Sequence, residues 1–485
     1  MQPNVLLVVL DSVRARNTSL HGYDFETTPF LSQFADEHAT QYTQARAPAA
    51  TSLTSHASIF TGLSVPEHGL KTTDAKLDPG HTVFEKLRSA GYETAIFSEN
   101  TWITDVAVGL KDGFDTIEGP RNLPFPEAVD PKSFVAEAGR GQYVDYIKAS
   151  IASSQPVRSL TNGLATKLAW DFPWLLPDSL QASTAAGVYA DLFLEWEREQ
   201  EGPWAACLNF MDAHIPYEPA TQFDRWGGPD ARSIQDNLSD LEWVFLGGQE
   251  PWWKRRALEG LYDGAIAQMD TQIRRIVQKL DERGALDDTL VVVTSDHGEG
   301  FGEPDEIRDV RVAEHGVSIS EVVFHVPLLV KYPGQSEGRT VDEPVSLARF
   351  PDAVEVATEG GRDNAEAFVT DGPVRVSAAG LDTALKERAS EYVTDFEPFT
   401  ATARAVYESE DGLITKDMTW RDRAQRIVIR DAHTSYNVEE DDVSIQDRVA
   451  TAFASIDDAG VREGTGGVDE MSDTTRQRLE DLGYV

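Results

Sequence analysis

The sequence predicts an α/β protein, a mostly parallel sheet with helices on both faces followed by a smaller C-terminal α+β subdomain. Three observations carry this. Apolar strand-like runs at residues 4–10, 93–98, 205–211 and 289–294 alternate with helical segments, the pattern of a parallel sheet. Three of these runs stop within two residues of an aspartate, at Asp11, Asp212 and Asp296. From about residue 360, short alternating segments such as RAVYESEDGLITK and QRIVIRDAHTSYNV replace the long runs and read as antiparallel hairpins. The expected boundaries are 1–358 for the larger unit and 359–485 for the smaller one with its tail.

Taken in order, Asn4–Leu10 is the first buried strand. A polar loop with Arg14, Arg16 and Asn17 leads to the helix-like TPFLSQFADEH. Residues 51–63, TSLTSHASIFTGL, open with hydroxyl side chains able to cap a helix and end near Gly62. Residues 120–200 mix Pro, Trp and Ser with patchy amphipathic helix such as AAGVYADLFLEWERE, and are expected to form an insertion or lid. Leu258–Leu280 is an amphipathic helix. The mainly β-branched run Leu290–Ser295 ends in the doublet Asp296-His297, after which Gly298 and Gly300 let the chain turn. Val326–Lys331 is a short strand closed by Pro333-Gly334, and a short helix is expected before the final GYV.

The 485 residues carry a net charge of −39, spread along the chain and not gathered in a tail. A hydrophobic content of 41% supports a large core and argues against wholesale disorder. With 12 Lys among 43 basic residues, this dispersed acidity resembles that of proteins from salt-loving organisms, where ionic strength screens self-repulsion. The charge argues against nucleic acid as a partner, because no basic stripe exists to neutralise phosphates. Cys207 is the single cysteine, so neither an intrachain disulfide nor a thiolate cluster is expected. No apolar run approaches the roughly 20 residues of a membrane span, and MQPNVLLVVLDS lacks a basic leader, so the expected location is the cytoplasm.

Open α/β sheets place ligands at the carboxyl ends of their strands. Taken alone, Asp296-His297 is equally a surface turn. Asp11 at a second strand end and Ser52 at a helix start complete a set of two carboxylates, one imidazole and one hydroxyl, suited to a divalent metal. A cation there lowers the pKa of the serine hydroxyl, and a helix start favours a tetrahedral oxyanion. For Ser52 alone, a plain capping role is the commoner outcome.

Four blocks, VLLVVLDSVRARNTSLHGY (5–23), TSLTSHASIFTGLSVPEHG (51–69), FMDAHIPYEP (210–219) and VVVTSDHGEGFGE (291–303), resemble the sulfatase family of the alkaline phosphatase superfamily. EHGVSISEVVFHVPLLVKYPG (314–334), the stretch around Asn100 and the ending RLEDLGYV fit as well. The resemblance implies an alkaline-phosphatase-like fold, metal ligation by Asp11, Asp296 and His297 with Ser52 at the nucleophile position, and an anionic ester substrate, with sulfated or phosphorylated glycans among the candidates. It implies His214 and His315 as catalytic or substrate-contacting histidines, with His214 suited to protonate a leaving group. Asn100, His56 and Arg14 are implied substrate contacts. His56 falls where sulfatases keep the Arg of their modification signature.

Two departures from the family pattern bear on the chemistry. The window Ser52-Leu53-Thr54-Ser55-His56 lacks the Pro and Arg that guide conversion to formylglycine, so an unmodified serine is expected. Ser12 stands where many sulfatases carry another metal-binding Asp, leaving a one-metal site that suits Mn²⁺ or Zn²⁺ better than Ca²⁺ or Mg²⁺. The expected function is a metal-dependent sulfate or phosphate ester hydrolase. A phospho-alcohol transferase acting on a glycan or lipid, and a non-catalytic binding protein on the same fold, remain open, as does the oligomeric state. The charge pattern makes one prediction: the melting temperature rises on going from low to molar KCl as repulsion is screened. A melting temperature that is flat or falls with KCl contradicts the salt-adapted reading.

Overall fold

In the computed structural model, residues 2–120, 143–153, 155–156, 159–160, 184–359, 365–381, 383–438, 442–463, 475 and 479 are described. The larger sheet is built from β1 (Asn4–Leu10), β2 (Thr40–Tyr42), β3 (Glu93–Ser98), β4 (Thr116–Glu118), β5 (Trp204–Phe210), β6 (Thr289–Thr294), β7 (Leu328–Lys331) and β8 (Arg339–Val341). Their spatial order is β8-β2-β7-β6-β1-β5-β3-β4. All neighbouring pairs are parallel except those made by β7, which runs antiparallel to both β6 and β2.

The central strands are apolar at nearly every position because both of their faces are covered. Val5, Leu7 and Val9 of β1 enter one core and Leu6, Val8 and Leu10 the other. The first core holds α2 (Ser52–Thr61) and α3 (Val83–Ser89), through Phe60 and Phe84 among others. The second holds α1 (Pro29–His38), α4 (Ala185–Arg198) and the 31-residue α5 (Trp252–Glu282). Helix α2 ends at Gly62, whose φ of +79° is the left-handed conformation glycine adopts without a Cβ clash.

The expected alternation of strand and helix is therefore present. Helix α5 begins six residues before the predicted Leu258, and β7 begins at Leu328 instead of Val326. The short edge strands β2, β4 and β8 carry too few residues to show a periodic signal. Of the 120–200 segment, residues 121–142, 154, 157–158 and 161–183 lie outside the described residues, as does most of the tail expected to form a short helix before GYV. The end of that segment is α4, whose Tyr189 and Phe193 are buried in the sheet's second core, so this part is a layer of the main body.

After residue 370 the chain forms an antiparallel meander of β9 (Val374–Ala378), β10 (Ala403–Glu410), β11 (Leu413–Trp420), β12 (Arg423–Ile429) and β13 (Ser435–Val438). One face shares the first core through Tyr407, Met418 and Trp420. A buried charge cluster ties this sheet to the 314–325 segment. Lys416 Nζ lies 3.1 Å from Glu321 and donates to Ile319 O at 2.6 Å, while Arg46 lies 3.0 Å from the other Glu321 oxygen.

Helix α1 is held at its start by a remote carboxylate. Asp270 of α5 accepts the backbone N–H groups of Phe30 at 2.9 Å and Leu31 at 3.0 Å. Burial raises its pKa to about 6 even though these two donors act to lower it. We predict that Asp270→Ala, which leaves both N–H groups without their acceptor, destabilises the protein by about 1–3 kcal/mol. Asp270→Asn retains one acceptor and should cost less. Thermal or urea unfolding checks this, and equal stabilities for the three proteins contradict it.

Candidate active site

Parallel pairing of β1 and β6 in the register Val9 to Thr294 carries Asp11 and Asp296 off neighbouring strand ends side by side. With His297 they form a fully buried cluster whose ligand atoms lie within 4.8 Å of one another. The turn between them is tightly fixed. Ser12 adopts φ +64°, its N–H donates to Asp296 Oδ1 at 3.3 Å and its hydroxyl to Asp11 Oδ1 at 3.1 Å. Tyr262 OH then donates to Ser12 O at 2.8 Å. Thus Ser12, expected only as a lost carboxylate, braces both aspartates.

Ser52 opens α2 with its Oγ 3.2 Å from His297 Nε2 and 3.5 Å from Asp11 Oδ2. His297 donates Nδ1–H to Gly298 O at 3.1 Å, which leaves Nε2 with a free lone pair toward the cluster. One turn along α2, His56 donates Nδ1–H to Ser52 O at 2.9 Å and lies 3.6 Å from Asp296 Oδ2. Asn100 caps the next short helix through Oδ1 and donates Nδ2–H to Asp11 Oδ2 at 3.1 Å. The structure therefore gathers Asp11, Ser52, His56, Asn100, Asp296 and His297 at one point.

His315 stacks on His297 with ring centres 4.1 Å apart, and His214 meets His315 edge-on at 5.5 Å. The row of imidazoles runs outward from Ser52. Burial, then the charge of His315, pushes the His214 pKa down to about 4. Burial also lowers His297, to about 4. Burial opposes protonation of His315 too, but the nearby Glu299 carboxylate outweighs that and raises its pKa. Of the two histidines, His315 is therefore the one whose surroundings favour the protonated form.

Arg14 goes elsewhere. Its Nη2 meets Glu259 at 2.5 Å, its Nη1 meets Glu303 at 2.8 Å and Glu299 O at 3.0 Å, and its Nε donates to Asn17 at 2.5 Å. With all three guanidinium nitrogens engaged in this buried network, the expected substrate contact by Arg14 has no geometric support. The sequence reading also missed residues that the structure brings in. Asn209, on β5, donates to Asp11 Oδ2 at 3.2 Å and accepts from Ser98 Oγ at 3.1 Å. Glu299 sits 3.7 Å from His315 Nδ1 and 3.2 Å from Arg255. Glu299 stands two residues after His297 in the quoted block, so its place was visible there. Asn209 carried no signal beyond a polar residue in a buried strand.

The donor set fits a divalent cation. Asp296 Oδ2 is buried with no hydrogen-bond partner, and no Lys or Arg of the described residues pairs with either aspartate. Burial, then repulsion from Asp296, raises the Asp11 pKa well above the usual carboxylate range. Two adjoining buried carboxylates demand a compensating positive charge. Asp11, Asp296, His297 and the Ser52 hydroxyl would hold it, a mixed O,N set compatible with Mn²⁺ or Zn²⁺.

This sheet, with acid, imidazole and hydroxyl groups gathered at its strand ends, defines an α/β protein with a buried candidate metal site. The chain belongs to the sulfatase family, whose model, described as "Sulfatase", matches residues 3–357. It is 24% identical over 377 residues to an arylsulfatase of Clostridium perfringens, covering 72% of this chain and 73% of that protein. It is 25% identical over 356 residues to an ulvan-active sulfatase of Formosa agariphila, covering 71% of this chain but 59% of that protein. Among solved structures, it resembles the phosphonate monoester hydrolase of Agrobacterium radiobacter with a TM-score of 0.64 at 19% identity, covering 94% and 95% of the two chains.

Removing the Asn209 side-chain donor should disturb the orientation of Asp11 without altering that carboxylate itself. We predict that Asn209→Ala weakens Mn²⁺ or Zn²⁺ binding about 10–100-fold, the usual effect of losing a partner behind a metal ligand. Calorimetric titration at fixed salt checks this. Unchanged affinity shows that Asn209 does not orient Asp11.

Proposed function

We propose that the chain is a metal-dependent hydrolase of a sulfate or phosphate ester, with Ser52 as an unmodified nucleophile. The observation that carries this is the Ser52 hydroxyl, 3.2 Å from His297 Nε2 and 3.5 Å from Asp11 Oδ2 at the start of a buried helix. A divalent cation held by Asp11, Asp296 and His297 would supply the positive charge that makes this hydroxyl nucleophilic near pH 7.

The chain's own groups then divide the work. Ser52 Oγ, its proton lost to solvent, attacks the sulfur or phosphorus, forming the Oγ–S or Oγ–P bond while the bond to the leaving oxygen breaks. The departing oxygen takes a proton from His315, which Glu299 holds, with His214 lining the same exit. Backbone N–H groups at the start of α2 face the developing charge on the equatorial oxygens. Water then attacks the adduct as the Oγ bond breaks, giving one proton back to His315 and keeping the other on the released sulfate or phosphate, which restores Ser52. A serine adduct lacks the elimination route open to formylglycine, so turnover depends on this displacement, which phosphoryl adducts undergo more readily than sulfuryl ones. That leans the reading toward a phosphate-type ester, although the sequence relatives named above are sulfatases. The acidic surface extends the proposal to work at high salt, in the cytoplasm.

The test is an assay of matched aryl sulfate, phosphate monoester and phosphate diester substrates in high salt with Mn²⁺, Zn²⁺, Mg²⁺ or Ca²⁺. We predict that at least one ester is turned over, that chelation abolishes the activity, and that Ser52→Ala lowers kcat by about 10³-fold or more. Full activity in Ser52→Ala contradicts the nucleophile assignment. Formylglycine at position 52 in the intact mass contradicts the unmodified serine.

A further inference from the structure

Beyond the candidate metal cluster, the buried cation Arg308 has no ion pair among the described residues. Arg308 is 3% exposed and donates Nη1–H to Val317 O, while its Nε and Nη2 are buried with no hydrogen-bond partner. Its neighbour Asp305 is already engaged. One oxygen accepts the N–H groups of Ile307 and Arg308 at 3.0 and 2.8 Å, and the other accepts Ser318 Oγ at 2.7 Å. Burying an ionised group without a partner is strongly unfavourable.

The surroundings add positive charge. In a chain of net charge −39, the guanidinium carbons of Arg308, Arg421 and Arg423 gather over the Trp420 ring at 5.4, 4.9 and 5.7 Å. Arg421 pairs with Glu397 and Arg423 with Asp309, whereas Arg308 pairs with neither. The two unsatisfied atoms, Nε and Nη2, form one edge of the guanidinium, the edge that grips two oxygens of a single oxyanion.

Arg308 lines a small, partly open cavity of about 20 Å³, together with Arg311, Ser318, Phe399 and His315. His315 is also the ring stacked on His297, so one imidazole separates this cavity from the reaction centre. Three carboxylates also line it: Asp305, held by the hydrogen bonds above, and Glu242 and Glu314, whose pKa values burial raises, that of Glu314 to about 7, which weakens their negative charge.

We infer that this cavity is an anion subsite, in which Arg308 Nε and Nη2 receive a second sulfate, phosphate or carboxylate group of the ester cleaved at Ser52. The inference rests on the hydrolase reading above and names a substrate class for it, esters that carry a second anionic group beyond the one released.

Two measurements on the full chain test it. The first compares kcat/KM for aryl esters with and without an added carboxylate or sulfate on the leaving arm. Arg308→Gln should lower the value for the doubly anionic ester at least tenfold and leave the singly anionic one unchanged, with Arg308→Lys intermediate. Equal losses on both esters, or no loss on either, overturn the subsite. The second titrates inorganic sulfate into Asp11→Ala, which cannot turn over substrate, following tryptophan fluorescence. Saturable binding should weaken at least tenfold when Arg308→Gln is added. Binding that survives Arg308→Gln, or is absent from Asp11→Ala, overturns the anion site. If no ester is turned over, the hydrolase reading fails and the sulfate titration alone still judges the site. Sulfate binding without discrimination between the two esters overturns the assignment to substrate and leaves a site for free anion.

Discussion

The arrangement depends on one electrostatic constraint, two aspartates held side by side in a fully buried place. Asp11 and Asp296 leave adjacent parallel strands in register, and Ser12 and Asn209 fix their oxygens with donated hydrogen bonds. Those donors orient the carboxylates without neutralising them. A position like this is stable only with a compensating cation or an extra proton. The orphaned Asp296 Oδ2 and the neighbouring His297 Nε2 and Ser52 Oγ show where a cation would be held.

The rest of the site follows from that pair. Helix α2 must start where it does to bring Ser52 against Asp11, and His56 one turn later ties the helix to Asp296. The 314–325 segment must return to stack His315 on His297, and the Lys416–Glu321–Arg46 cluster anchors that return to the C-terminal sheet. The smaller subdomain therefore supports the reaction centre and is no mere appendage. It also brings Trp420 beneath Arg308, so that a specificity surface and a structural joint share the same residues.

Much of this was legible in the sequence because strand ends in a parallel sheet have strong local signatures. The runs at β1 and β6 are apolar throughout and stop at their aspartates, so both the strands and the carboxylates could be placed. Ser52 was legible from a helix start with a glycine stop at Gly62. Arg14 misled because charge in a family block suggests substrate, whereas burial forced it into pairs with Glu259 and Glu303 that lie more than 240 residues away in sequence. Asn209 and Arg308 were invisible as functional groups for the same reason, and Glu299, although inside a quoted block, acquires its role only from the partners beside it. Their meaning lies in which partners the fold gives them, or withholds, and single-chain patterns do not encode long-range pairing.

The central claim is that Ser52 itself attacks the ester at a cation held by Asp11, Asp296 and His297. Rapid acid quench of the metal-loaded chain during turnover, followed by peptide mass analysis, tests it most directly. The account predicts a transient phosphoryl or sulfuryl group on Ser52 that vanishes when the metal is chelated. A substituent on another residue, or turnover that never labels Ser52 and survives chelation, would contradict it.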